Sequence, residues 1–421
     1  MGGVSMEWKE VRLGDVCSEL SDGLHKAPKF IVNGEYIFVN AKNLYNGYIL
    51  DNDPTKKTSH EEYLKYKKPL GKHTILYSID GTIGNIAKYR GEKCVLGKGA
   101  CYINCNPEIV ESSYLYYQLQ SPHFKSYIHL MSTGSTIKHI SLKTMRDYVF
   151  ELPSLDDQRR IASILSSLDR KIELNNKINA DLEEMAQAIF KNWFVDFEPF
   201  KDGKFVDSEL GMIPEGWKVI SLNEILDNVS GYSYKGSELQ SSNIAMATIK
   251  NFERKGGFKT EGYKEIVISK KIKETQFVDM FDVLVAHTDL TQNAEIVGNP
   301  AIVLSKGGYE KLIMSMDLTK VISKIDGVTN GLLYCILSTS RFKEHALGYV
   351  NGTTVLHMSK KAVPEYTCAF PKDINQIRDL CITLDAIYKR MAVTYDENSR
   401  LSLLRDTLLP RLMSGELEVP E

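Results

Sequence analysis

Two stretches of this chain place an interior-type residue every three or four positions for ten consecutive positions. In the first, the places are held by Ile161, Leu165, Leu168, Ile172, Asn175, Asn179, Leu182, Ala186, Ile189 and Trp193. In the second they are held by Ile377, Leu380, Leu384, Ile387, Met391, Thr394, Asn398, Leu401, Arg405 and Leu408. A 3,4 spacing sustained this long is a coiled-coil seam. Each helix would run for about 35–40 residues, roughly 55 Å at ~1.5 Å per residue. Both carry a similar seam, which favours pairing with each other over each packing on its own globular core. Asn175, Asn179 and Asn398 put polar groups on the seam, where they lower stability and can pin register.

The stretches before the helices have a different texture. Short β-rich runs appear at Tyr36–Asn40, Thr74–Ser78, Cys94–Leu96 and Cys101–Asn104. A second set follows at Ala245–Ile249, Glu265–Ile268, Val283–Ala286, Ala301–Leu304 and Leu318–Ser323. Gly, Asn and Asp punctuate them, as turns require. Each set is followed by a compact helical pattern, Ser113–Ser121 in one and Gly331–Thr339 in the other. The two halves also share text. Gly134-Ser-Thr-Ile-Lys-His-Ile-Ser-Leu-Lys143 returns as Gly352-Thr-Thr-Val-Leu-His-Met-Ser-Lys-Lys361, and Pro153 and Gln158 return as Pro371 and Gln376, all 218 residues on.

These patterns predict an α+β chain of two similar globular units separated by an antiparallel coiled coil of two long helices, a pseudo-two-fold repeat. The expected boundaries are residues 1–152 for the first unit and 153–198 for the first helix. A connector follows at 199–216, then the second unit at 217–370 and the second helix at 371–421. Pro and Gly in the connector stop the first helix and let the chain turn back.

Composition narrows the class without naming a function. At 421 residues the chain suits two domains. It is 43% apolar and 25% charged, and no run approaches the ~18 apolar residues of a membrane span. With no apolar signal core near Met1, the expectation is a cytoplasmic protein without membrane partners. The seven cysteines are unevenly spread, and the close pair Cys101 and Cys105 lacks the second pair of a zinc site, so free thiols are expected. The net charge of −2 counts against a simple DNA-coating protein, yet it is unevenly distributed. Residues 1–150 carry +4, residues 217–370 carry +2 and residues 151–200 carry −4. Between Lys56 and Lys98 ten basic residues face four acidic ones, with Tyr63, Tyr66, Tyr77 and Tyr89 interleaved. That stretch reads as either a solvated lysine-rich face or a phosphate-binding one.

Catalytic signatures are missing from the sequence. There is no phosphate loop, no His-Glu-x-x-His, and no Asn/Asp-Pro-Pro-aromatic pattern of an amino-methyltransferase. Asp80-Gly-Thr-Ile-Gly84 reads as a β-turn, and His287-Thr-Asp289 as a polar cluster at a strand end. His139 and His357, equivalent in the repeat, read as structural hydrogen-bonding groups. No catalytic, cofactor or metal site is expected.

The layout and several local signatures resemble the specificity subunit of type I restriction–modification systems. They are Gly134-Ser-Thr-Ile137 with Gly352-Thr-Thr-Val355, Leu152-Pro-Ser-Leu-Asp-Asp-Gln158 and Ile189-Phe-Lys-Asn-Trp-Phe-Val-Asp-Phe197. Gly211-Met-Ile-Pro-Glu-Gly-Trp217 and Leu408-Leu-Pro-Arg-Leu-Met-Ser-Gly415 complete the set, while Asn375-Gln376 stands where the family often has Glu-Gln. The resemblance covers essentially the whole chain. It implies a non-catalytic subunit whose two target-recognition domains each read one half of a bipartite double-stranded DNA target. The helices would set the spacer and dock two methyltransferase subunits, with motor-nuclease subunits joining them.

On that footing the DNA-contacting residues should be polar groups on loops: Arg or Lys for guanine and phosphate, Asn or Gln for adenine. In the first unit these are Lys26, Asn40, Lys42, Asn43, Tyr45, Lys98, Ser135, Thr136 and Lys138. In the second they are Lys235, Thr248, Lys250, Asn251, Thr291, Gln292, Asn293 and Thr353. Lys26 is aligned with Lys235, Lys42 with Lys250 and Asn43 with Asn251. Shared positions suit phosphate better than bases, because different half-sites need different base readers. Off-seam residues Phe190, Phe194, Val195, Phe197, Leu403, Leu404 and Leu409 could meet a partner or complete the rod. Two rivals stay open. A free-standing DNA methyltransferase with diverged motifs would bind S-adenosylmethionine by itself. A scaffold whose coiled coil joins two protein-binding domains would show no salt-sensitive DNA binding.

Overall fold

The computed structural model describes residues 8–134, 138–254 and 256–419. Its contacts divide the chain into two units, one of residues 1–171 with 401–421 and the other of residues 172–400. Both long helices contribute to both units: Leu155–Phe194 and Arg378–Met413.

The first unit is built on a four-stranded antiparallel sheet in the order Cys17–Asp22, Ala100–Cys105, Thr74–Ser78, Ile86–Lys88. A smaller sheet sets Tyr36–Val39 between Lys57–Thr58 and Cys94–Leu96, the latter pair running parallel. Thr74–Ser78 is buried at every position, which is why it reads as an unbroken apolar run rather than an alternation. Helices Ser112–Gln118 and Pro122–Met131 cover the sheet with buried Tyr114, Tyr117 and Phe124.

In the second unit the same plan recurs. Its main sheet runs Leu226–Ser230, Leu318–Ser323, Val283–Ala286, Pro300–Ile302. The companion sheet runs Lys264–Glu265, Ile244–Ala247, Lys311–Met314, Phe277–Val278, again with one parallel pair, Ile244–Ala247 beside Lys311–Met314. Helices Asn330–Leu337 and Ser340–Leu347 take the places of the first unit's two. Four sequence-predicted strands are shorter than expected. Tyr36–Asn40 ends at Val39, and Ala301–Leu304 ends at Ile302. Ala245–Ile249 ends at Ala247 because Thr248 caps a 3-10 turn, and Glu265–Ile268 keeps its pairing only at Lys264–Glu265.

All twenty predicted seam positions are buried or half-buried. In the first unit Ile161 and Leu165 share a core with Leu409, Leu412 and Met413, so the helix segments run antiparallel. Arg405, odd on an apolar seam, is explained by Asp169: Nη1 donates to Oδ1 at 2.9 Å, and the carboxylate also accepts from Tyr117 at 2.6 Å. Within the second unit the asparagines meet. Asn175 Nδ2 donates to Asn398 Oδ1 and to Glu397 Oε2, both at 2.9 Å, and Asn398 Nδ2 donates to Asn176 Oδ1 at 2.8 Å. Asn179 is 6% exposed, and neither of its side-chain polar atoms has a protein partner among the described residues. The off-seam apolar residues divide. Phe190, Phe194 and Leu409 are buried in the units' own cores, whereas Val195, Leu403 and Leu404 are exposed. No helix among the described residues is long and apolar enough to cross a membrane.

The landmark glutamines have parted. Gln158 is buried at the start of the first long helix, accepting from Glu111 N at 2.8 Å and donating to Pro153 O at 2.9 Å. Gln376 is exposed, in a 3-10 turn before the second.

Candidate nucleic-acid interface

In the first unit, backbone bonds gather the predicted loops around residues 97–99. Leu24 is tied on both sides of Gly97: Leu24 N donates to Leu96 O at 2.7 Å, and Lys98 N to Leu24 O at 3.0 Å. Gly97 N donates to Val39 O, and Ile79 N to Gly99 O. Gly81 N donates to Lys138 O at 3.0 Å, which brings the last predicted loop alongside. There is no room for a side chain at Gly23, where a Cβ would lie 2.3 Å from the Leu96 and Gly97 carbonyl oxygens. Segments carrying Lys26, Asn40 to Lys42, Lys98 and Lys138 therefore border one surface.

The second unit repeats this junction. Tyr232 N donates to Met314 O at 2.7 Å, Met316 N to Tyr232 O at 2.9 Å and Ser315 N to Ala247 O at 2.9 Å. Strand register fixes the correspondence. Leu20 and Asn228, Ile75 and Val283, and Phe38 and Met246 are equivalent, each pair 208 apart. By that register Lys42 matches Lys250 and Asn43 matches Asn251, but Lys26 matches Tyr234. The alignment of Lys26 with Lys235 is one residue out, because the bridges of Leu24 to Gly97 and of Tyr232 to Ser315 hold the strands at 208.

Both units contain the same pinned turn. Asn40 Oδ1 accepts from Lys42 N at 3.0 Å, and Asn43 Oδ1 accepts from Asn40 N at 3.0 Å. Asn43 Nδ2 donates onward to Leu50 O at 2.9 Å and to Asn52 Oδ1 at 2.8 Å. In the second unit Thr248 Oγ1 accepts from Lys250 N at 3.2 Å, and Asn251 Oδ1 accepts from Thr248 N at 2.9 Å. Asn251 Nδ2 donates to Lys259 O at 2.8 Å. This corrects part of the sequence reading. Asn43, Thr248 and Asn251 are 6%, 5% and 0% exposed, with their hydrogen-bonding groups engaged inside the protein, and Asn40 is half-buried as the cap. They hold a turn; they present no free edge to a base. What the turn presents is an exposed lysine, Lys42 in one unit and Lys250 in the other.

The remaining candidates lie at the surface. Lys26, Tyr45, Lys98, Lys138, Lys235, Thr291, Gln292, Asn293 and Thr353 are all exposed. Ser135 and Thr136 fall outside the described residues. Among the described residues, none of Lys26, Lys42, Lys98, Lys138, Lys235 and Lys250 makes an ion pair, whereas Lys57, Lys93, Lys218 and Lys306 each hold a carboxylate. Unpaired cations are free to meet phosphate. Lys98 and Lys138 correspond to Met316 and Leu356 in the second unit, whose junction is therefore less basic.

Lys235 is set in place by a carboxylate the sequence reading passed over. Buried Glu238 accepts from Tyr232 Oη at 2.6 Å, Ser269 Oγ at 2.7 Å, Ser269 N at 2.9 Å and Lys235 N at 2.5 Å. The hydrogen bonds from Tyr232 and Ser269, and then from the Lys235 and Ser269 amides, hold its pKa down to about 2. His139 Nδ1 bonds to Asp80, closing the turn that starts at Asp80. Its counterpart His357 is exposed opposite Thr288. His287 is buried, burial lowers its pKa and leaves the ring neutral, and its Nε2 has no partner among the described residues.

Comparison with known proteins gives one consistent answer. The sequence model described as "Type I restriction modification DNA specificity domain" matches residues 6–184. The type I restriction enzyme MjaIX specificity subunit of Methanocaldococcus jannaschii is 27% identical over 410 residues, 94% of this chain and 86% of that protein. The type I restriction enzyme HindI specificity subunit of Haemophilus influenzae is 24% identical over 479 residues, 98% of this chain and 100% of that protein. Among solved structures, the type I restriction–modification system S subunit from M. genitalium matches with a TM-score of 0.59 at 16% identity, over 98% of this chain and 97% of that one. At that identity the structural likeness is one of fold.

Proposed function

We propose, from its likeness to the specificity subunits of type I restriction–modification systems, that this chain is such a subunit and that each of its two units reads one half of a bipartite duplex DNA target. Its role is DNA target recognition within a restriction–modification complex, without chemistry of its own. The proposal adds how the work is divided. Each unit offers its own basic face, the paired helices set the spacer between half-sites, and their exposed outer residues dock two methyltransferase subunits. Motor-nuclease subunits join that complex to cut.

The observation that supports this most is the pinned turn, built from different capping residues in the two units yet raising an unpaired lysine at the same register position. A turn kept in both copies suits a contact that both need, and phosphate is the part of DNA common to any two half-sites. Lys42→Ala and Lys250→Ala should therefore weaken binding of every duplex alike and leave the preferred sequence unchanged. Each should reduce the slope of log affinity against log salt by about one. The test is titration of the complex with methyltransferase against target and non-target duplexes at several salt concentrations. An unchanged slope in both variants would remove the phosphate role.

A further inference from the structure

The two units are not equally long between the strands at the junction. In the first, residues 79–85 link Thr74–Ser78 to Ile86–Lys88. In the second, residues 287–299 make the same link between Val283–Ala286 and Pro300–Ile302. The added residues form a loop with unusual internal support. Buried Asp289 accepts from Thr291 N at 2.9 Å, Thr291 Oγ1 at 2.9 Å, Ile296 N at 2.6 Å and Val297 N at 3.3 Å. From the other side, Lys343 Nζ donates to Val297 O at 2.6 Å, Asn299 Oδ1 at 2.7 Å and Ala294 O at 3.0 Å. Asn299 Nδ2 adds a bond to Glu295 O at 2.8 Å.

What this framework carries is small and specific. Leu290 is 66% exposed, an apolar side chain held out from the surface. Gln292 and Asn293 are exposed, and among the described residues their amide groups make no hydrogen bond. The loop leaves the end of a small sheet in which Asp289 pairs with Leu356, so it stands beside the turn that bears Thr353. A free amide on a fixed backbone can offer a donor and an acceptor at once, the match for adenine N7 and N6 in the major groove; an apolar group suits the thymine methyl. Because the loop is already ordered, little entropy is lost when it engages.

Resting on the bipartite reading above, we infer that the loop Leu290–Asn293 is the base-reading element of the second unit, with Gln292 and Asn293 reading adenine and Leu290 lying against a thymine methyl. The loop has no equivalent of this length in the first unit, so the discrimination it provides belongs to one half-site alone.

The test is methylation of a randomised duplex library by the full chain in complex with methyltransferase, for the wild type and for Leu290→Ala, Gln292→Ala and Asn293→Ala. These side chains are exposed, so the variants should fold. The expected result is loss of discrimination, by about tenfold or more, at A·T positions in one half of the motif, with the other half unchanged. The inference is overturned if the motif is unaltered in all three variants, or if binding weakens equally on every duplex with the motif retained. A wild-type library showing no two-part motif would instead overturn the bipartite reading itself.

Discussion

Asn43 and Asn251 do the same task 208 residues apart: each accepts from the backbone of its capping residue and donates to a carbonyl further along. Removing either amide leaves buried backbone groups unsatisfied. Asn43→Ala and Asn251→Ala should each cost about 1–3 kcal/mol in urea unfolding, and should weaken DNA binding through the displaced lysine. If stability is unchanged, the turn is held by something else. Glu238 makes a pH prediction. Its carboxyl is held at about 2, below the ordinary ~4.3, so its stabilising contribution is present above the ordinary value and lost as pH falls toward about 2. Glu238→Gln should therefore be less stable than the wild type at neutral pH, and the gap should close as acid is added over that window. A gap that stays constant through acid titration would show that the charge is not what matters.

At the scale of the element, the paired helices join apolar seams with polar layers. The Asn175–Asn398 layer satisfies itself, but Asn179 is buried with both polar atoms unpartnered among the described residues. Asn179→Leu should raise stability by about 1–3 kcal/mol, since it removes an unsatisfied buried group and adds apolar burial. A lower melting midpoint would mean that the amide has a partner in solution. The seams were legible because a 3,4 period leaves few other readings. Strands Thr74–Ser78, Cys94–Leu96, Val283–Ala286 and Leu318–Ser323 were legible to the residue, as apolar runs ended by turn formers. Polar loop residues were harder to read. Asn43 and Asn251 in a loop suit an adenine reader or a turn former equally, and only burial separates the two. The extra loop was hidden for a related reason. The spacing is 208 residues at Lys42 and Lys250 but 218 at Gly134 and Gly352, and strand register assigns six of the added residues to this loop and the rest to the chain after Ile302. Glu238 gave no signal, since its counterpart by register is Phe30.

The whole molecule carries the same design twice within one chain: a four-stranded main sheet with a companion sheet, two covering helices and a polar junction in each unit, with long helices common to both. The junctions differ at Lys98 and Lys138, where the second unit has Met316 and Leu356, and in the loop after Val283–Ala286, which is longer there; the lysine of the pinned turn is present in both. The central claim is that the helix pair sets the distance between two independent readers. Inserting one heptad into each helix, at the facing positions around Asn175 and Asn398, keeps the seam in phase and adds about 10 Å. The most direct test is to map the methylated motif of that variant beside the wild type, in complex with methyltransferase. The account predicts the same two half-sites with a spacer longer by roughly three base pairs at ~3.4 Å per pair. Altered half-sites, or an unchanged spacer, would contradict it.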